Sequence, residues 1–266
     1  MEKTLWKHIQ TVRELSPLVH NITNYVVMNS TANALLAIGA SPVMAHAKAE
    51  VKDMTTIANV LLINMGTLDE YWSESMLIAA ETAHLLNKPW VLDPVGAGAT
   101  PYRNQIIQKL LQYRPTIIRG NASEILAIAK SNAPATKGVD SIASSMDAVQ
   151  AARNLVGQYG SVVCISGETD IIVDQKNQTL LLKNGHPMMT KVTGLGCTAS
   201  ALTAAFAAVI EDKTEATVAA MALLGIAGEL SEKQSHGPGT LQMNIIDKLY
   251  AMTDVEFAEQ LNVSRA

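Results

Sequence analysis

Cysteine is scarce in this chain, with only Cys164 and Cys197 among 266 residues. Two thiols make no disulfide framework for a chain of this size and read as free thiols of a reducing compartment. Aromatic residues are few, at 4%, which argues against an aromatic platform for stacking nucleic-acid bases. Clustered basic residues are missing and the formal net charge is -4, so phosphate-backbone binding lacks its usual footprint. No apolar run spans a membrane without interruption, since the Ala-rich stretch from Thr198 meets Glu211-Asp212-Lys213. The first residues, Met1 to Trp6, lack the apolar core of a secretion signal. Linkers rich in Pro or Ser and internal repeats are also missing. These absences lead to an expectation of one domain over residues 1–266, cytoplasmic, with neither nucleic acid nor membrane as a partner.

Several chemical signatures are missing too. There is no P-loop lysine motif, no dinucleotide glycine fingerprint, no nucleophile elbow, and no His/Cys spacing suited to zinc.

What is present is apolar material, 48% against 17% charged residues, arranged as short runs alternating with helical patterns. Pro17–His20, Ser41–Met44, Val60–Asn64, Trp90–Asp93, Thr116–Arg119 and Ser161–Ile165 read as strands. Asp170–Asp174 and Thr179–Lys183 read as a hairpin at the sheet edge. Helices are expected over Tyr25–Ile38, with Gly39 as its C′ glycine, and over Val51–Asn59, Leu68–Leu86, Tyr102–Gln112, Ser123–Lys130 and Ser145–Gln158. The remainder reads as mostly helical, and Lys130–Ser144 as the most loop-like interior stretch. Such alternation predicts an α/β fold of three layers, α/β/α, around a mostly parallel sheet. Ligands of such sheets bind beyond the carboxyl ends of the strands, where Asn21, Asn24, Met44, Asn64, Asp93, Arg119 and Ser166 fall.

The segment Lys191-Val192-Thr193-Gly194-Leu195-Gly196-Cys197, followed by small apolar residues, reads as a tight turn feeding a buried helix. Free amides and the positive end of the helix dipole would form an anion hole there, with Cys197 in the first turn. A plain glycine turn with a buried thiol is the alternative. Asp93 ends a strand before Pro94-Val95-Gly96-Ala97-Gly98, as a turn residue or as a carboxylate facing metal or phosphate. Arg119 follows two isoleucines at a strand end, where its fork suits phosphate oxygens. Asn121 and Glu124 have the spacing of a helix cap. The segment Cys164-Ile165-Ser166-Gly167-Glu168-Thr169-Asp170 ends a strand with small polar residues, and suits a nucleotide phosphate or ribose contact or an ordinary turn. His20-Asn21-Ile22-Thr23-Asn24 gathers amides at a strand-to-helix junction, with His20 read as a satisfied buried imidazole. Met44 suits a heteroaromatic ring or plain core.

In this order, the segments His20–Asn24, Ser41–Met44, Asp93–Gly98, Arg119–Glu124 and Gly194–Cys197 resemble those of the hydroxyethylthiazole kinases, a branch of the ribokinase-like superfamily. The resemblance implies ATP- and Mg²⁺-dependent phosphorylation of the primary hydroxyl of 4-methyl-5-(2-hydroxyethyl)thiazole, a step in thiamine biosynthesis or salvage. It also implies a homotrimer with sites near the subunit interfaces. Met44, Gly194, Asn24 and Val27 would meet the thiazole. Arg119, Ser166, Asn121 and Thr193 would meet ATP, and Asp93 and Glu124 would serve the metal. Gly194, Gly196 and Cys197 would form the catalytic turn, with Cys197 where ribokinases carry a catalytic Asp, aiding positioning and late proton acceptance. Ser166 stands where Thr is common in the family, and Leu195 where a small polar residue is often seen. Rival readings are a kinase for another hydroxymethyl heterocycle, a nucleotide-cleaving lyase of the same fold, a non-catalytic binder, and a cysteine hydrolase.

Overall fold

The short apolar runs become strands because branched side chains suit a sheet buried on both faces. In a computed structural model describing residues 1–132, 145–176 and 178–266, they form one sheet. Its strands are β1 Leu18–Ile22, β2 Ser41–Val43, β3 Val60–Asn64, β4 Trp90–Asp93, β5 Ile117–Asn121, β6 Val162–Ser166, β7 Asp170–Val173, β8 Thr179–Leu182 and β9 Val263–Arg265. Their order across the sheet is β2-β1-β3-β4-β5-β6-β7-β8-β9. Strands β1 to β6 run parallel, and the last three pair antiparallel.

Successive residues point to opposite faces of each strand. Leu62, Val91, Ile117 and Cys164 face one core. Leu61, Ile63, Leu92, Ile118 and Val163 face the other. The first core is covered by α1 Glu2–Leu15, α2 Met28–Ala37, α8 Leu195–Val209, α9 Lys213–Glu232, α10 Pro238–Ala251 and α11 Asp254–Gln260. The second is covered by α3 Val51–Ile57, α4 Glu70–Leu85, α5 Pro101–Leu111, α6 Ala122–Asn132 and α7 Ser145–Tyr159. The three layers follow from this two-sided burial. Helix α8 is buried on every side from Thr198 to Ala207, which its alanines permit by allowing close approach to β1, β3 and β4. Among the described residues, no helix is long and apolar enough to cross a membrane.

Gly39 ends α2 as expected. Its φ is +87°, the Gly39 amide donates to the Leu36 carbonyl, and the Ala40 amide to that of Leu35, the paired bonds of a left-handed helix stop. Other expectations shift. Helix α2 begins at Met28 rather than Tyr25, because the Val26 amide donates to Asn24 Oδ1 and the Val27 amide to the Asn24 carbonyl, holding 24–27 as a turn. Helix α1 and strand β9 have no counterpart in the sequence reading. The β7–β8 hairpin is therefore not the edge, since β9 pairs outside β8. Lys130, Ser131 and Asn132 belong to α6; the rest of the expected loop, from 133 to 144, lies outside the described residues.

The chain leaves β1 for β2 on one side and returns to β3 on the other. This reversal opens a crevice at the carboxyl ends of β1 and β3. Asn24 and Asn64 stand there, and the amino end of α8 points into the same region.

Candidate active site

A hydrogen-bonded chain of side chains crosses the carboxyl ends of the strands. Asn24 Nδ2, just past β1, donates to Asn64 Oδ1 at 2.7 Å and to Cys197 Sγ at 3.4 Å. Asn64 Nδ2 donates to Asp93 Oδ2 at 2.6 Å. Ser200 Oγ donates to the same carboxylate oxygen at 2.7 Å and accepts from the Arg119 guanidinium at 3.4 Å. One network thus links Cys197, Asn24, Asp93 and Arg119, with Asn64 and Ser200 as couplers. Polar groups buried this deeply persist because they are mutually satisfied.

The α8 end is shaped by Gly194. Its φ is +82° and it caps the helix with no side chain. A Cβ there would lie 2.3 Å from Val27 Cγ1, so only glycine admits the turn with Val27 packed on it. The amides of Leu195, Gly196 and Cys197 are the first of the helix and have no intrahelical acceptor. Arg119 lies across this end, where a Cβ built on Gly196 would be 3.7 Å from the guanidinium. Arg119 is only 6% exposed, and its Nε has no hydrogen-bond partner. A buried, partly unsatisfied cation beside open helix amides has the chemistry to receive an anion.

These groups open into a cavity of about 540 Å³. One side is polar, with Arg119, Ser166, Glu168 and Asp170; the other is apolar, with Pro187, Met189, Met221 and Leu224. Its polar end lies beyond β5 and β6, as the strand-end rule requires.

Burial governs the charges. It pushes the Asp93 carboxyl up to about 6, opposed by the Arg119 charge and the Ser200 hydroxyl, while Glu124 adds to the rise and Asn64 opposes it. It also raises the Cys197 thiol, with the Asp93 charge acting in the same direction and the Asn64 and Asn24 amides and Arg119 opposing. Asp170, beside Arg119, is raised by burial as well. Cys164 is pushed up to about 12 beneath the site, chiefly by burial, and is a core thiol. His20 is the satisfied imidazole the sequence suggested: its ring nitrogens bond the Thr55 hydroxyl at 3.1 Å and the Ala45 carbonyl at 2.6 Å. Burial lowers its pKa.

Asn121 and Glu124 form the reciprocal cap at the start of α6, with the Glu124 amide on Asn121 Oδ1 and the Asn121 amide on Glu124 Oε2. Glu124 Oε1 also accepts the Gly96 amide at 3.0 Å. Glu124 therefore ties the glycine loop after Asp93 to the end of β5. Arg103 pins the loop from the other side, donating to the carbonyls of Met65, Gly66 and Val95.

Of the residues singled out in sequence, Arg119, Ser166 and Gly196 line the large cavity, while Cys197, Asn24, Asp93 and Gly194 cluster beside it. Val27 backs Gly194, and Asn121 and Glu124 stand behind the glycine loop. Met44 is half-buried at the end of edge strand β2 and does not line the cavity. Thr193 lines a separate small crevice with Ser30 and Ile245. Sequence reading missed Ser200, Arg103 and the far wall of the cavity at Asn184–Thr190. Ser200 alone carried a signal: it is one helical turn beyond Gly196, so it shares that face of α8.

The fold is that of the ribokinase-like class of proteins. The chain superposes on the pyridoxal kinase of Staphylococcus aureus in complex with ADP at a TM-score of 0.62 and 17% identity, covering 79% of this chain and 87% of that one. Within that class the chain belongs to the hydroxyethylthiazole kinase family, whose model matches residues 9–255. The hydroxyethylthiazole kinase of Syntrophus aciditrophicus (strain SB) is 54% identical over 259 residues, 97% of this chain and 96% of that protein. The solved hydroxyethylthiazole kinase of Pyrococcus horikoshii OT3 is 39% identical, with a TM-score of 0.91 and 99% of both chains covered. The chain is an enzyme that phosphorylates the alcohol of hydroxyethylthiazole.

Proposed function

We propose that ATP is the phosphoryl donor and that its phosphates seat on the first amides of α8 beside Arg119. The observation that carries this reading is the buried Arg119, with an unpartnered Nε, lying against Gly196 at an uncapped helix end. The adjoining cavity has room for a nucleotide, with Ser166 at its polar side. The thiazole alcohol approaches from the crevice between β1 and β3, where Asn24, Cys197 and Gly194 meet.

Transfer to an alcohol passes through a loose transition state, so positioning and charge stabilisation dominate. Arg119 and the α8 amides stabilise the equatorial oxygens of the moving group. Asn24 holds Cys197 Sγ beside the acceptor's path. The raised Cys197 pKa favours a neutral thiol, so it orients the hydroxyl rather than withdrawing its proton early. Late proton release goes to the new phosphate ester or to solvent.

The residues fit Mg²⁺ of the kind that binds largely through phosphates and water. Among the described residues, no three His, Cys, Asp or Glu side chains converge on a metal site. The available donors are hard carboxylate oxygens on Asp93 and Glu124, near enough for Glu124 to raise Asp93, and one or two carboxylates suffice for such an ion. Mg²⁺ would offset phosphate charge. Asn121 and Glu124 shape the loop that receives it. Met44 and Thr193 lie outside the cavity, which fits a homotrimer in which a neighbouring subunit completes the thiazole pocket. One domain and a reducing, cytoplasmic setting accord with the continuous sheet and two free thiols.

The test is ADP release with Mg-ATP, with and without the thiazole alcohol, and product mass. Thiazole-dependent ADP with a phosphate gain on the alcohol supports the reading. ADP release that ignores the alcohol overturns it in favour of nucleotide cleavage.

A further inference from the structure

The apolar wall of the cavity is the segment Asn184–Thr190, between β8 and α8. It carries no regular sheet pairing; its first two residues are held by one amide and one carboxylate, and further along His186 Nε2 lies 3.9 Å from Glu232 Oε2. Asn184 Nδ2 donates to both Glu229 oxygens at 3.2 Å and to the Gln260 carbonyl at 2.8 Å. Asn184 Oδ1 accepts the Asn262 amide at 2.9 Å. Glu229 Oε1 also accepts the Gly185 amide at 2.7 Å. Asn184 is 9% exposed, so its own bonds are largely shielded from water and costly to lose, while the Gly185 bond is exposed.

The underside of the wall is cut to fit. Glu229 is on α9, and Gly225 and Gly228 lie one turn before it and beside it on the same helix. A Cβ on Gly225 would come within 2.8 Å of the Asn184 backbone, and one on Gly228 within 2.1 Å of Met189 Sδ. The wall therefore rests on bare α9 backbone while Glu229 clasps its first two residues. Met189, Met221 and Leu224 then stand at one side of the cavity.

We infer that Glu229 and Asn184 are positioning residues for the donor nucleotide, acting through the wall and touching no substrate. They set the width of the apolar end of the cavity, which lies across it from Arg119 and Ser166. The inference rests on the reading that the donor occupies this cavity. An apolar slot flanked by flexible thioethers suits a planar heteroaromatic base. Loosening the wall costs ordering of that slot and leaves the Asn24–Cys197 end untouched.

The experiment measures KM for ATP, KM for the thiazole alcohol and kcat in Glu229→Ala, Glu229→Gln and Asn184→Ala, with folding checked by melting temperature. Leu224→Trp, which fills the slot, is measured beside them. Losing one buried hydrogen bond is worth about tenfold in affinity. Glu229→Ala is expected to raise the ATP KM about tenfold, with the thiazole KM and kcat within about twofold of the parent. Glu229→Gln, which keeps an acceptor for the Gly185 amide, is expected to fall between. Should Asn184→Ala fail to fold, the two Glu229 variants decide. If Leu224→Trp blocks ATP but the Glu229 variants leave its KM unchanged, or change all three constants alike, the clasp does not position the donor. If Leu224→Trp leaves ATP binding unchanged, the donor is not in this cavity and the inference falls with that reading.

Discussion

Replacing Asp93 by Asn removes a buried charge while keeping the shape, and the outcome separates function from stability at one residue. Asp93 is 3% exposed and its carboxyl is raised from 3.8 to about 6. A carboxyl with a raised pKa destabilises the fold when ionised, so the wild-type protein loses stability through this group as pH climbs from about 4 to above 6. The loss above pH 7 amounts to about 3 kcal/mol. In Asp93→Asn, the amide oxygen still accepts from Asn64 and Ser200, while the amide hydrogens face the Arg119 side at a cost of about 1 kcal/mol. The ligand-free variant should therefore be more stable than the parent at pH 8 by about 1–3 kcal/mol, a gain of several degrees in melting temperature for a chain of this size. The gain should shrink towards zero as pH falls to about 4. Activity should drop by about 10² or more if, as proposed, this carboxylate serves the metal and phosphates. Thermal melts of both proteins from pH 4 to 8, without nucleotide, read the difference directly. A variant less stable at pH 8, or a difference independent of pH, would refute the reasoning that burial holds this carboxyl up.

Other perturbations test separate parts of the site. Cys197→Ala should fold and lose at most about 10²–10³ in kcat, as expected of a positioning group; complete inactivity in a folded protein would make the thiol indispensable. The Cys197 thiol should react slowly with iodoacetamide at pH 7.5, and faster in Asp93→Asn, because the Asp93 charge is the second cause of its raised pKa; equal rates would break that coupling. Arg119→Lys should cost about 10²–10³ in kcat/KM for ATP, because a point charge cannot replace the fork beside Gly196. Gly194→Ala should be destabilised by about 2 kcal/mol or more from positive φ and the Val27 contact, and Val27→Ala should recover part of the loss in melting temperature.

The strands and the strand-end polar residues were legible because burial on both faces leaves an unmistakable apolar run, and because a parallel sheet puts its chemistry at one end. Val60-Leu61-Leu62-Ile63-Asn64 shows both properties in five residues. The N-terminal helix was not legible: Leu5, Ile9 and Val12 bury one narrow stripe among charged neighbours. Strand β9 was hidden because three residues with an exposed pattern form a strand only when β8 offers an edge. The glycine turn at Gly194–Cys197 could be read from the sequence, but its coupling to Asp93 could not. That coupling passes through Ser200 and Asn64, which lie 107 and 29 residues from Asp93 in the chain. The Asn184 wall stayed invisible for the same reason, since its partners Glu229, Gln260 and Asn262 converge only in the folded molecule.

The central claim is that the donor's phosphates sit on the first amides of α8 beside Arg119, next to Cys197 and Asn24. A crystal structure with a non-hydrolysable ATP analogue and the thiazole alcohol tests it most directly. The terminal phosphate is expected within hydrogen-bond distance of the Gly196 and Cys197 amides and of the Arg119 guanidinium, with the thiazole hydroxyl on the Asn24 side. Phosphates bound away from this helix end, or an alcohol lodged on the Ser166 side of the cavity, would contradict it.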